Sequence, residues 1–205
     1  MLDLPPPVPA IEFNLASRGM SKGIAQTKGP QALVRGELAF RHLVVGAYAK
    51  NVTSASAEGE AGLSLGLRGT LSGFDLAASA AWKRAIDPAP GSDTNALEVA
   101  GSVSRRIGRW APKASLVWSP DDVGGTGRTL FAEAGLAYRL TKTATASAAL
   151  GRRERTGGAD YTAWNAGLSW TPAKPLSFDA RYYDTDGGSA QPYRARVVLA
   201  ARLKL

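Results

Sequence analysis

Apolar residues recur at every second position in twelve successive segments, and no segment shows a comparable helical period. A period of two belongs to a strand with one apolar and one wet face. The alternation starts at Ala10, where Ile11, Phe13 and Leu15 are separated by Glu12, Asn14 and Ala16. Ala32, Val34, Gly36, Leu38 and Phe40 follow, then Leu43, Val45, Ala47 and Ala49, a segment whose parity can be read either way. The clearest pair is Ala61, Leu63, Leu65, Leu67 and Leu71, continued across Ser72-Gly73 by Phe74, Leu76, Ala78, Ala80 and Trp82. A two-residue turn of that kind makes a tight hairpin. The remaining apolar faces start at Leu97, Ala114, Leu130, Ala144, Trp164, Leu176 and Tyr193.

The connections between these segments alternate in length. Short turns fall near Arg41-His42, Ser72-Gly73, Gly108 to Ala111, Thr141-Lys142 and Pro172 to Pro175. Longer Gly/Asp/Pro-rich loops fall at 19–31, 51–58, 86–95, 119–128, 154–160 and 186–192. A membrane barrel with short periplasmic turns and long outer loops has this rhythm, whereas a soluble meander has no reason to keep it. The expected fold is therefore all-β: a transmembrane antiparallel up-and-down β-barrel of about 12 strands, N and C termini periplasmic. Residues 1–9 read as a Pro-rich leader and 10–205 as a single barrel domain.

Composition narrows the function. The longest uninterrupted apolar run, Val197 to Ala201, is far short of the ~20 residues of a spanning helix, so a membrane is entered only as a barrel. Zero cysteines exclude a disulfide scaffold, a thiolate metal site and a cysteine nucleophile, and no cofactor is expected. The single histidine, His42, falls in a short turn with no serine placed beside it, so a lipase-like triad is not expected and neither is an enzyme. Leu4-Pro5-Pro6-Pro7-Val8-Pro9 has no basic or apolar signal region, and an exported chain is expected to have lost its signal peptide.

The aromatics divide into two girdles. Phe13, Phe40, Phe74, Tyr138, Trp170 and Phe178 are expected near the short-turn ends of outward faces, and Trp82, Trp118, Trp164, Tyr182 and Tyr193 near the long-loop ends. Amphipathic rings favour the two interfaces of a bilayer. Because they keep to the apolar face, they are not interleaved with basic groups as base stacking requires, and no nucleic-acid partner is expected.

The formal net charge of +8 is then a property of the lumen. Inward positions include Arg18, Arg35, Arg41, Lys50, Arg68, Lys83, Lys113, Arg139, Arg153, Arg181, Arg194, Arg196 and Arg202, facing Glu12, Glu37, Glu60, Asp75, Glu98, Glu133 and Asp179. Basic groups outnumber acidic ones roughly two to one, which favours anions in a pore. The expected selectivity residues are Arg35, Glu37, Glu133, Asp179 and Arg181 near mid-height, with Arg194 and Arg196 toward the outer mouth. The alternative is a non-conducting structural or partner-binding barrel whose acids and bases pair to fill the lumen. Whether loop 19–31 folds inward, and whether the barrel is a monomer or a trimer, stay open. Arg105 and Arg152 break the outward pattern near a short turn and a long loop, where a side chain can snorkel to water and Arg152 can meet lipopolysaccharide phosphate. Asp121-Asp122 and Asp184-Thr185-Asp186 offer clustered carboxylates without the spacing of an EF-hand, and read as solvated turns.

Asn14-Leu15-Ala16-Ser17 through Lys22-Gly23-Ile24-Ala25-Gln26-Thr27, then Ala32-Leu33 and Gly36, resembles the N-terminal signature of the proteobacterial TorF porin family, where R-G-I-S-Q-T is usual. Asn51-Val52, Asp160 to Trp164, Asp184 to Asp186 and Ala195 to Val198 resemble later blocks of that family, so the resemblance spans nearly the whole chain. It departs at Lys22 and Ala25, where arginine and serine are common, and at Leu205, where such barrels usually end on an aromatic residue. The resemblance implies a barrel in the outer membrane of a Gram-negative bacterium, in contact with lipid and lipopolysaccharide. It implies passive transport of small solutes.

Overall fold

A sheet of two-faced strands leaves unpaired backbone groups at both edges unless it closes on itself. The computed structural model, which describes residues 6–53, 57–123 and 126–205, is closed. The first five residues of the leader and parts of loops 51–58 and 119–128 lie outside the described residues.

The barrel opens with β1 (Val8–Ala16) and continues, after an inserted hairpin of β2 (Met20–Ser21) and β3 (Ile24–Ala25), with β4 (Gln31–Phe40) and β5 (Leu43–Asn51). Then come β6 (Gly59–Leu71), β7 (Phe74–Ile86), β8 (Asn95–Arg105), β9 (Trp110–Asp122) and β10 (Gly127–Arg139). The last four are β11 (Ala144–Arg155), β12 (Tyr161–Ala173), β13 (Leu176–Thr185) and β14 (Arg196–Lys204). Each barrel strand pairs antiparallel with its neighbour in the chain, and β14 closes onto β1 with Phe13 opposite Leu203. The β6–β7 turn is the tight hairpin expected: Ser72 and Gly73 have φ of 51° and 78°, the left-handed pair that matches strand twist.

The expected up-and-down barrel of twelve strands is thus what forms, and the long and short connections gather at opposite ends. Several boundaries move. β1 starts at Val8, two residues before the alternation becomes clear; β9 runs on to Asp122; β14 starts at Arg196 and not at Tyr193. In β5 the open parity resolves with Val44, Gly46, Tyr48 and Lys50 facing inward.

The molecule is inside-out. On β6, Leu63, Leu65 and Leu67 are 58%, 55% and 59% exposed, an apolar stripe too continuous for a face bathed in water. About half of the buried side chains are polar or charged, among them Gln31, Glu60, Lys83, Ser119, Asp122, Thr129 and Arg153, and most of the apolar ones are small. The interior is therefore a polar lumen, and strands of 9 to 13 residues match the ~9–11 that a tilted strand needs to cross a bilayer.

Candidate functional site

Residues 17–30, the first long connection, turn into the barrel. Their β2–β3 hairpin is closed by Lys22 and Gly23 with φ of 50° and 82°, and glycine is required twice over at position 23. A Cβ there would also lie 2.1 Å from the Cβ of Ala163, an inward residue of β12. The base is tied by Gly19 N–H donating to Thr27 Oγ1 at 2.8 Å and Gln26 N–H to the Gly19 carbonyl at 2.8 Å. The flanks are tied to other long loops: Ala25 N–H donates to the Pro192 carbonyl (3.2 Å), Thr53 N–H to that of Gln26 (2.8 Å), and Lys28 N–H to Thr53 Oγ1. At the tip, the Tyr161 hydroxyl donates to the Lys22 carbonyl at 2.8 Å.

The Lys22 ammonium enters a charged cluster on the facing wall. It lies 2.9 Å from Glu98 and 3.0 Å from Asp122; Lys83 lies 2.7 Å and 3.1 Å from the same two carboxylates, and Arg153 2.8 Å from Asp122. Three cations from the hairpin, β7 and β11 thus converge on two carboxylates from β8 and β9. Alternation from outward Trp118 would turn Asp121 inward and Asp122 outward. A bulge reverses this: Ser119 pairs with Thr129 but Asp122 with Gly127, so β9 spends one extra residue. A second buried group stands nearby, with Lys50 Nζ 3.1 Å from Glu60 and the Tyr48 hydroxyl donating to the same carboxylate at 2.6 Å.

Two cavities flank the hairpin. The larger, about 800 Å³, lies against β4–β7 and reaches from Gln191 and Thr126 to Arg68 and Ala77, past Arg35, Tyr48 and Ser64. The smaller, about 500 Å³, lies against β1 and β12–β14 and is lined by Arg18, Met20, Asp179, Arg181 and Arg202.

The expected selectivity residues are distributed between these spaces and form no single ring. Arg35 and Glu37 line the larger cavity, with Glu37 3.7 Å from Arg68 and the Arg35 guanidinium 5.8 Å from the Tyr48 ring centre. Asp179 and Arg181 line the smaller. Arg181 is tied to Ser147 Oγ (2.8 Å), Asn165 Oδ1 (2.8 Å) and Asp179 (3.1 Å), with Ser169 Oγ donating to Asp179 at 2.6 Å. Glu133 faces inward from β10, opposite Ser115 and Gly151. Arg194 lies before β14, and Arg196 opens that strand, its guanidinium bonded to Gln191 Oε1 (3.0 Å) and the carbonyls of Pro192 and Arg194. Lys22, Tyr48, Asp122 and Tyr161 were not among the expected site residues. Tyr48 and Tyr161 stand at inward positions of their strands, which alternation can find. Lys22 sits in a motif whose inward course alternation does not reveal.

On the outer wall, Phe40, Phe74, Tyr138, Trp170 and Phe178 stand beside the short turns, and Trp170 stacks on Phe178 at 5.7 Å. Trp82, Trp118, Trp164 and Tyr182 stand toward the long loops, while Phe13 is the sixth of nine residues in β1, opposite Val34. Tyr193 corrects the expectation. It precedes β14, sets its ring edge-on to inward Tyr161 at 5.4 Å, and its hydroxyl accepts from Arg155 at 2.9 Å. Trp110, expected in a turn, is the first residue of β9 and packs on Tyr138 at 4.5 Å. Arg105 covers the Phe74 ring at 4.9 Å, and Arg152 pairs with Asp160 at 3.4 Å. His42 lies at the β4–β5 turn with Nδ1 3.2 Å from the Arg68 carbonyl. Of the clustered carboxylates expected in solvated turns, Asp122 is instead buried among cations, and Asp184 and Asp186 accept from the backbone N–H groups of Thr185 and Thr162.

Among solved structures, the chain is similar to the KdgM porin in complex with disordered oligogalacturonate, at a TM-score of 0.67 and 10% identity, covering 95% of this chain and 98% of that one. It is similar to the NanC porin at 0.64 and 6%, covering 94% and 97%. It is also similar to the COG4313 outer membrane channel from Pseudomonas putida F1 at 0.52 and 11%, covering 100% and 96%. At these identities the likeness establishes the fold of an outer-membrane porin barrel. No curated protein matches the chain. Residues 11–201 match the model of Gcw_chp, a bacterial family of unknown function, and the match carries that name and not TorF.

Proposed function

We propose that this chain, which belongs to the Gcw_chp family of bacterial proteins, is a channel through which small solutes, anions in preference, diffuse across the outer membrane of a Gram-negative bacterium. The observation that carries the reading is a charged cavity of about 800 Å³ inside a barrel with an apolar outer wall. The porin barrels it resembles support it, and the oligogalacturonate bound by the KdgM porin is an acidic sugar polymer. The TorF-like motifs point the same way.

The barrel domain of 10–205, with residues 1–9 as leader, sits with its termini and short turns in the periplasm. Its long loops and Arg152 lie toward lipopolysaccharide. Fixed charge in a narrow low-dielectric wall concentrates counter-ions. Arg35 is exposed within the lumen and makes no ion pair within 4.0 Å among the described residues, although Glu12 stands opposite it on β1, so its guanidinium is free to meet a passing anion. Arg181 and Arg196 add positive potential from β13 and β14, on the other side of β1 from Arg35, tempered by Asp179, with Glu37, Glu133 and Arg194 setting the balance at their own levels.

Planar-bilayer recording of the refolded protein under a salt gradient tests the proposal, beside a variant carrying Arg35→Gln, Arg181→Gln and Arg196→Gln. Stable single-channel steps with an anion-side reversal potential that the variant loses are expected. A folded, heat-modifiable barrel that carries no current would move the weight to a partner-binding barrel with a filled lumen, which the packed hairpin favours.

A further inference from the structure

The charge balance at the hairpin tip is uneven in an informative way. Lys83 and Arg153 already match Glu98 and Asp122 in number, and all four belong to the barrel wall. Lys22 is the additional cation, brought by a segment of the chain that is not wall. Its side chain is 9% exposed and it bonds both carboxylates at once. Each such bond to a charged group is worth more than a neutral one. Of the other ties, most are neutral backbone and hydroxyl contacts; the Lys50 ammonium donates to Gln26 Oε1 at 2.8 Å, but to a neutral amide, so Lys22 makes the only hairpin-to-wall ion pairs among the described residues.

We infer that Lys22 is a positioning residue that pins residues 17–30 across the lumen and so confines solutes to the passage along β4–β7. This rests on the channel reading for its transport consequence and not for the pin itself. The two cavities show what the pin decides. With the hairpin held, the spaces against β4–β7 and β12–β14 are divided by it. With it released, they merge into one wider bore. Lys22→Asn is the informative change because asparagine tolerates the left-handed backbone at this position and the wall keeps a balanced quartet of charges.

The chain has no cysteine, so Ser21→Cys, on the hairpin and lining the larger cavity, gives a single reporter. Its labelling by a bulky polyethylene-glycol maleimide is followed on the folded, lipid-embedded full chain beside single-channel conductance. In the Lys22→Asn background, labelling is expected to accelerate by well over tenfold, since both charged hydrogen bonds are lost and one alone is worth about tenfold. Conductance rises with it, and Lys22→Arg restores both to the parent values. Glu98→Gln, which takes the charge off one of the two acceptors, gives an intermediate labelling rate. Unchanged labelling in both Lys22→Asn and Glu98→Gln overturns the pin even if the protein conducts. Accelerated labelling in a barrel that never carries current upholds the pin and sinks the channel reading.

Discussion

The half of the lumen beneath the long loops and the half toward the short turns are built from the same alternating strands, yet their inward side chains meet different surroundings. Beneath the long loops, Ser119, Thr129 and Tyr161 are almost wholly buried, and Lys22, Lys83 and Asp122 are 6% to 10% exposed at the side chain. Toward the short turns, Arg68 and Arg202 are 51% and 53% exposed at the side chain although each has a carboxylate within 4 Å. Strand geometry is common to both halves, so it does not explain the contrast. The inserted hairpin does: it excludes water from one end and leaves the other wet. An ion pair is therefore structural in the first half and mainly a source of field in the second.

Three changes break or sharpen this comparison. Asp122→Asn has the largest expected effect, because it leaves three buried cations with Glu98 alone. A loss on the order of 3–5 kcal/mol is expected, read from urea unfolding of the lipid-embedded barrel. A loss near zero would mean the cluster is as wet as the other end. Glu37→Gln removes a carboxylate of the same kind, but one facing a half-exposed arginine at 3.7 Å. Its stability cost should stay below about 1 kcal/mol, while the reversal potential moves further toward anions.

The smallest effect concerns Asp186, outside the strands, whose carboxylate accepts the Thr162 backbone N–H at 2.6 Å and is thereby held below the usual aspartate range. A carboxyl that ionises more readily folded than unfolded contributes fully at neutral pH and loses that contribution as pH falls through its folded pKa. Asp186→Asn should flatten the acid limb of the unfolding midpoint slightly, and an unaltered acid limb would remove this contact from the account.

Much of the fold was legible because its signal is local. In β6, β7 and β12 alternation alone identifies the outward face, since slipping by one residue would put leucines and tryptophans into a charged lumen. The candidate site was legible only in part. Arg35, Glu37, Asp179 and Arg181 stand at inward positions, but how far each is neutralised depends on neighbours from other strands, as with Arg181 and Ser147. Tyr193 was misplaced because its period-two spacing from Ala195 and Val197 continues a strand pattern into a segment that the loops and Arg155 hold turned inward.

The sequence by itself determined the twelve barrel strands, the parity of all but β5, and the alternation of long and short connections, because a β-strand's faces are decided two residues at a time. Only the tertiary structure decided that residues 17–30 enter the barrel and that a bulge turns Asp122 to meet them. Lys22 and Asp122 are separated by 100 residues, and attraction between charges that far apart in the chain exists only once the barrel has closed and shut out the water between them.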